Sequence, residues 1–403
     1  MNICFVSREF IGSKRAGGIA TYVYDMSKSL IEEGHNVFVI CASDNIWKNE
    51  HVEFEGIKII KLGGADFLLH SNRFIQFLGT KYRSFFYFNK YRKSISKTLE
   101  KLCSDVGLDI VEFGEYGNEA KFWLQDKQHA IPTVVRFHGP SGHNRSFNTI
   151  DISRSNVRSE LSTAFLADGI TYCSIALHNL IKSNEYSGLL FDLYKRPNKV
   201  IYNPTPIDEQ IIDKEDTTKF IFTAGSFSRS KGFVDLIEAV KVLNENGVKV
   251  ELIIAGKLSS LGFDYKEKSL KSKDYCEWLR ILGPIDRAKL YSYYYNAELC
   301  CFPSHFEPFG LICIESMSVG GLVLGSSSGG MNEIISDGID GFLIAPKNVR
   351  LLASKIKEIL ELSQIEKKHI RDKAITKVVD KFSQKIVATE MISFYKEVIT
   401  KFR

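Results

Sequence analysis

Short, nearly uninterrupted apolar runs alternate in this chain with longer stretches whose apolar residues return every three or four positions, and the whole alternation occurs twice. In the first half the runs are NICFV (2–6), NVFVICA (36–42), DIVEF (109–113), TVVRFH (133–138) and GITYCS (169–174). In the second half they are KFIFTA (219–224), VKVELIIAG (248–256), AELCCF (297–302), GLVLG (321–325) and GFLIA (341–345). Runs this short, apolar on both faces, mark strands of a parallel sheet covered on each side by helices. Between them, segments such as IATYVYDMSKSLIEE (19–33) and FVDLIEAVKVLNEN (233–246) have helical spacing. The pattern predicts an α/β fold of two Rossmann-like, doubly wound domains.

The stretch KRPNKVIYNPTPIDE (195–209) separates the two series, and its three prolines and two asparagines interrupt any long helix. The expected organisation is therefore an N-terminal domain over 1–195, a linker over 196–209 and a C-terminal domain over 210–380. From Val349 onward the pattern is helical throughout, more helix than one sheet face needs, so a last helix over 381–403 is expected to pack back on the first domain. Two such domains facing each other leave a cleft between the carboxyl ends of their sheets, where ligands of this architecture bind.

Composition narrows the class. A chain of 403 residues is longer than one core ordinarily serves, and no apolar stretch reaches the ~18 residues a membrane span requires. The N-terminus MNICFVSREF has neither a basic head nor a long apolar run and reads as a first strand instead of a secretory signal, so the expected location is cytoplasmic. Eight cysteines fall mostly in apolar runs with no C-x-x-C pair, which predicts reduced core residues in place of disulfides or a zinc site. A net charge of +5 is too mild to imply a nucleic-acid partner.

Candidate chemistry lies in the loops after strands. Gly17 and Gly18 precede the first helix and leave backbone amides open to an anion; a plain turn is the alternative. His138 ends the run TVVRFH, at the tip of a strand, where a structural histidine or a ligand contact both fit. After KFIFTAG, Arg229 and Lys231 place two cations in a turn before a helix that starts near Gly232, which suits a diphosphate as well as a solvated basic loop. No D-x-D motif is present, so a diphosphate would be met by side chains and helix amides without a metal. In HFEPFGLICIE (305–315), Pro308 breaks the chain, Gly310 permits close backbone approach, and Glu307 and Glu315 stand in the loop and in the following helix. One acid suits a sugar ring and the other a ribose; a capping or core-rim role is the alternative, and a glycosidase pair would have to flank one scissile bond. Gly329, Gly330, Asn332 and Glu333 form a further turn before a helix.

Taken in order, GG (17–18), GHNV, VVRFHG, IYN, the KG turn, LGPI (282–285), FPSHFEPFGLICIE and GGMNEIISDGIDGFLI resemble the retaining GT-B glycosyltransferases of family four, over nearly the whole chain. The resemblance implies a GT-B fold and transfer of a hexose or N-acetylhexosamine from a nucleoside-diphosphate sugar, UDP before GDP, to a glycan or lipid-linked acceptor in cell-surface polysaccharide or glycoconjugate assembly. It also implies no cofactor and no metal. In the same terms His138 contacts the transferred sugar, Lys231 and Arg229 face the diphosphate, and Glu307 holds sugar hydroxyls. Gly17, Gly18, Gly225, Ser226, Gly283 and Ile285 line the donor, Phe309, Gly310 and Leu311 present backbone amides to it, and Glu315 binds the ribose. One position departs: the family has arginine where this chain has Ser226, with Arg229 three residues on. That departure keeps a degenerate partner subunit open as an alternative, and a GT-B nucleotide-sugar epimerase is another. Residues 72–97 mix aromatic and basic side chains, which predicts contact with an anionic membrane surface or packing on the N-domain sheet.

Overall fold

The computed structural model describes residues 1–13, 16–45, 48–65, 80–126, 129–141, 143–144, 149–150, 155–183, 196–207 and 219–402. The chain divides into two units, the first made of Met1–Asn144, Thr149–Pro204 and Gln384–Arg403, the second of Thr205–Ser383.

The first unit is built on a sheet of β1 (Asn2–Val6), β2 (Asn36–Ala42), β3 (Glu50–Phe54), β4 (Ile57–Leu62), β5 (Ile110–Gly114) and β6 (Thr133–Phe137); a two-residue pair, β7 (His143–Asn144) with β8 (Thr149–Ile150), stands apart, and β9 (Gly169–Tyr172) and β10 (Asn198–Val200) complete the sheet. Its order is β10-β9-β6-β5-β1-β2-β4-β3, parallel except for the edge strand β3. The β3–β4 hairpin escapes the apolar pattern because β3 is almost wholly exposed; Glu55 and Gly56, at φ 50° and 81°, make the two-residue turn that suits a twisted hairpin. The helix Gly18–Glu32 buries Ala20, Tyr22, Val23, Met26 and Leu30 on the sheet. On the same core lies the C-terminal helix Gln384–Phe402, through Val387, Met391, Phe394, Tyr395 and Val398. A Cβ at Gly169 would stand 2.5 Å from Val398 Cγ2, so β9 admits this helix only as glycine.

The second unit carries β11 (Phe220–Ala224), β12 (Glu251–Ala255), β13 (Leu279–Gly283), β14 (Leu299–Phe302), β15 (Val323–Ser326) and β16 (Phe342–Ile344) in the order β13-β12-β11-β14-β15-β16, all parallel. Strand order reverses at β11, so the loops leaving β11 and β14 diverge from one point at the carboxyl edge. The helical C-terminal stretch is three helices, Val349–Glu361, Gln364–Phe382 and Gln384–Phe402. Ser363 breaks the first join with a capping box closed by Glu366, and extended Ser383 breaks the second.

Cysteine burial follows the expectation for Cys4, Cys41, Cys173, Cys300, Cys301 and Cys313, but Cys103 is half-buried and Cys276 exposed; all eight are free thiols. Among the described residues, no helix is long and apolar enough to cross a membrane, and no group of acidic, histidine or cysteine side chains is arranged to hold a metal ion.

Candidate functional site

In the second unit, β11 ends at Ala224 and Gly225 turns the chain at φ 132°. A Cβ on Gly256, at the end of the adjoining β12, would lie 1.9 Å from the Gly225 carbonyl oxygen, so the two strand ends approach as backbone against backbone. Ser226 is exposed, and Arg229–Lys231 forms a 3-10 turn with Arg229 exposed upon it. Gly232 closes that turn in the left-handed region at φ 71° and opens the helix Phe233–Glu245. A side chain on Gly232 would strike the carbonyl of Pro303, which presses this turn against the end of β14.

From β14 the chain runs through Pro303 to Gly310, the left-handed residue (φ 117°) that begins the helix Leu311–Ser318 without a side-chain cap. Within this loop Glu307 accepts a hydrogen bond from Lys231 Nζ, joining the β11 and β14 loops. Ser304 Oγ lies 3.4 Å from the same carboxylate oxygen. The Glu307 main chain is clamped by the next loop: Gly330 N–H donates to its carbonyl at 2.8 Å, and a Cβ on Gly329 would fall 2.1 Å from that oxygen. The glycines of GGMNEIIS thus let the loop before β16 rest on the Glu307 loop as backbone against backbone. His305, two residues before Glu307, bonds Asp235 Oδ2 through Nε2 at 2.9 Å, and its N–H meets Ser230 O at 2.8 Å.

Phe309 is buried with its ring 6.0 Å from that of Phe382, so only its backbone is available to a ligand. Leu311, half-buried, is the first helical residue. Glu315 lies four residues further along the helix, 7% exposed, with Arg287 4.0 Å away. Arg287 comes from the helix Arg287–Asn296, whose N-cap Asp286 follows Gly283 and half-buried Ile285 at the end of β13. Sequence reading missed Arg287 because its neighbour Glu315 is distant along the chain.

The first unit holds the other candidates. Gly17, extended at φ −149°, starts the helix Gly18–Glu32 with no side-chain cap and no acidic residue in its first turn; both glycines are exposed. His138 follows β6, its ring edge-on to Tyr22 with centroids 4.9 Å apart. Burial, with Arg136 nearby, pushes its imidazole well below the ordinary range, so the ring is neutral at physiological pH.

The same unit holds buried ionisable groups that the sequence did not single out. Arg136 is fully buried, donates to Ile201 O and Asn203 Oδ1 at 2.7 Å each, and stacks over Tyr22. Glu112 accepts the hydroxyls of Tyr22 and Tyr395 at 2.8 Å each, Glu119 accepts Tyr91 Oη at 2.7 Å, and Glu115 and Glu160 accept main-chain amides of the His138 turn. The one available signal was the odd acid or base inside an apolar run, as in VEF and VVRFH.

Of the aromatic and basic segment 72–97, residues 72–79 lie outside the described residues. Tyr91 is 1% exposed, and Arg92 stacks on Phe88 and donates to Gly117 O; these two side chains belong to the fold instead of a membrane face.

Residues 205–377 match the family model described as glycosyl transferases group 1, and residues 16–208 match glycosyltransferase family 4. An uncharacterized glycosyltransferase of Methanocaldococcus jannaschii is 25% identical over 415 residues, 98% of both chains. The lipopolysaccharide 1,2-N-acetylglucosaminetransferase of Salmonella typhimurium is 29% identical over 210 residues, 50% of this chain and 53% of its own. Among solved structures, the sucrose-phosphate synthase of Thermosynechococcus elongatus superposes with a TM-score of 0.77 at 18% identity, over 99% of both chains. Anabaena HepE, solved with UDP and glucose, gives 0.69 at 18% identity, over 98% of this chain and 100% of its own.

Proposed function

We propose that this chain, which belongs to the group 1 glycosyltransferases of GT-B fold, is a retaining transferase that moves a hexose or N-acetylhexosamine from a nucleoside-diphosphate sugar to a hydroxyl of a glycan or lipid-linked acceptor. The observation that carries the reading is the Lys231–Glu307 pair at the point where strand order reverses, beside the uncapped helix that begins at Gly310. A cation and open helix amides suit a departing diphosphate, and a carboxylate suits sugar hydroxyls. UDP is the favoured nucleotide, in keeping with the HepE complex, and GDP is next. Saccharide acceptors accord with the lipopolysaccharide-building relative.

In this reading Lys231, aided by Arg229, takes up charge on the diphosphate as the glycosidic bond to phosphate breaks and its electron pair passes to the phosphate oxygen. The acceptor oxygen then bonds to the anomeric carbon on the same face, and its proton passes to the leaving phosphate. Glu307 orients the sugar, Glu315 the ribose, and neutral His138 contacts the transferred sugar. Gly17, Gly18, Gly225, Ser226, Gly283 and Ile285 line the donor, with backbone from Phe309, Gly310 and Leu311. No metal takes part. An anionic membrane surface would be met through the segment 72–97 apart from Tyr91 and Arg92; absence of co-sedimentation with anionic vesicles would remove that contact.

Melting of the protein with UDP, GDP, ADP, CDP and dTDP in metal-free buffer tests the donor site. A nucleotide at 100 times its dissociation constant adds ~2.7 kcal/mol. A shift with one nucleotide, lost in Glu315→Ala, supports the reading. Exposed Ser226, where the family carries a guanidinium, favours a second reading, a partner subunit without turnover; no shift with any nucleotide would bring it forward. Conversion of the donor sugar without any acceptor would instead indicate an epimerase.

A further inference from the structure

Glu115, the residue after β5, is 2% exposed. Each of its carboxylate oxygens accepts the His138 N–H at 3.0 Å, and Oε1 accepts the Gly139 N–H at 2.6 Å. Its own N–H donates to Arg136 O at 3.1 Å, so main chain and side chain of one residue grip β6 and the turn after it. Gly139, at φ 134°, bends the chain immediately beyond. A second carboxylate secures the far side of the turn: Glu160 accepts Ser141 N–H at 3.1 Å and Ser141 Oγ at 2.7 Å, and its other oxygen accepts Gly117 N–H at 2.7 Å. The imidazole of His138 is confined by the Tyr22 ring and by Gly114, where a Cβ would lie 3.8 Å from Cδ2.

A neutral acceptor would close such a turn. A carboxylate spanning two successive amides does more, since it fixes the peptide planes on both sides of His138 and with them the direction of its Cα–Cβ bond. We propose that Glu115 is a positioning residue that holds the His138 imidazole in the direction required for contact with the bound sugar, an inference that rests on the role proposed above for His138. Gln at this position retains one acceptor oxygen and loses the second.

The surroundings make the anchor sensitive to pH. Burial pushes the Glu115 carboxyl up to about 7, opposed by the amides of His138 and Gly139 and reinforced by the like charge of Glu160. Facing groups on neighbouring elements are Glu160, itself pushed up by burial, and Arg136 and Tyr22 beside His138. His138 stays neutral, so a transition near neutrality belongs to a carboxyl and not to the imidazole.

The test follows the ring of His138 by NMR in histidine-labelled protein, assigned with His138→Gln, together with transfer kinetics from about pH 5.5 to 8.5. In the wild type the ring signal and kcat are both expected to change through a transition near pH 7. In Glu115→Gln the transition disappears and kcat falls about 10-fold while donor KM stays within about twofold, the signature of misplacement without lost donor binding. Glu115→Asp keeps the carboxylate on a shorter arm and restores the transition, and Glu160→Gln keeps it but moves it to lower pH, because a like charge that raises the Glu115 carboxyl is gone. A ring signal and pH profile identical in wild type and a folded Glu115→Gln would overturn the proposal. If the ring responds to Glu115 but no donor is turned over, the positioning link stands and the transferase reading falls.

Discussion

Glu307 and Glu115 both follow a strand of a parallel sheet, yet the two units treat them differently. Glu307 is partly exposed and answered by a side-chain cation, Lys231, carried on the loop of the neighbouring strand. Glu115 is enclosed and answered by peptide N–H groups of the turn it braces. A lysine on its own loop can swing to a phosphate and release the carboxylate to a hydroxyl; a peptide amide cannot leave. The first arrangement suits a group that exchanges partners during a reaction, and the second suits one that fixes geometry.

The sharpest way to break this comparison is to unbalance the buried charges of the first unit. Arg136→Met removes the cation beside Glu112 and strands Ile201 O and Asn203 Oδ1, and is expected to lower stability by ~3–5 kcal/mol, read from urea unfolding. In the second unit, Glu307→Ala should cut transfer by ~10²–10³ with the melting temperature nearly unchanged, if the proposed role of its carboxylate toward the sugar holds and it does not serve the core. A large loss of stability there would place Glu307 with Glu115 as a structural acid.

Glu115 should govern part of the pH dependence of stability. Its folded carboxyl titrates near 7 against the ordinary 4.5, so between those values the unfolded chain holds fewer protons than the folded one. Its stabilising contribution is therefore complete below about 4.5 and is lost as pH rises through about 7, on the order of 3 kcal/mol in all. Thermal unfolding of Glu115→Gln should show a shallower fall across that window; an unchanged slope would assign the effect to Glu112, Glu119 or Glu160, which burial also pushes up. The smallest expected effect is that of Tyr395→Phe, which deletes the hydroxyl 2.8 Å from Glu112 and should cost ~1–2 kcal/mol. No measurable change would mean that the Tyr22 hydroxyl alone satisfies Glu112.

The sequence was legible where one physical rule acts locally. Apolar runs such as NVFVICA are strands because both faces are covered, and Gly232 and Gly310 mark helix starts because their backbones take positive φ. The exposed β3 hairpin was not legible, since a strand open to water carries no apolar run.

By itself, then, the sequence determined two β-α series, the helical C-terminus, and Lys231, Glu307 and Glu315 as candidate chemistry, because backbone conformation and burial period are written in neighbouring residues. Tertiary structure alone decided that Lys231 meets Glu307, that Tyr395 closes over Glu112, and that Glu115 rather than a nearby residue grips the His138 turn. A charge buried in a core is answered by whichever donor the fold brings to it, and for Glu112 that donor lies 283 positions along the chain.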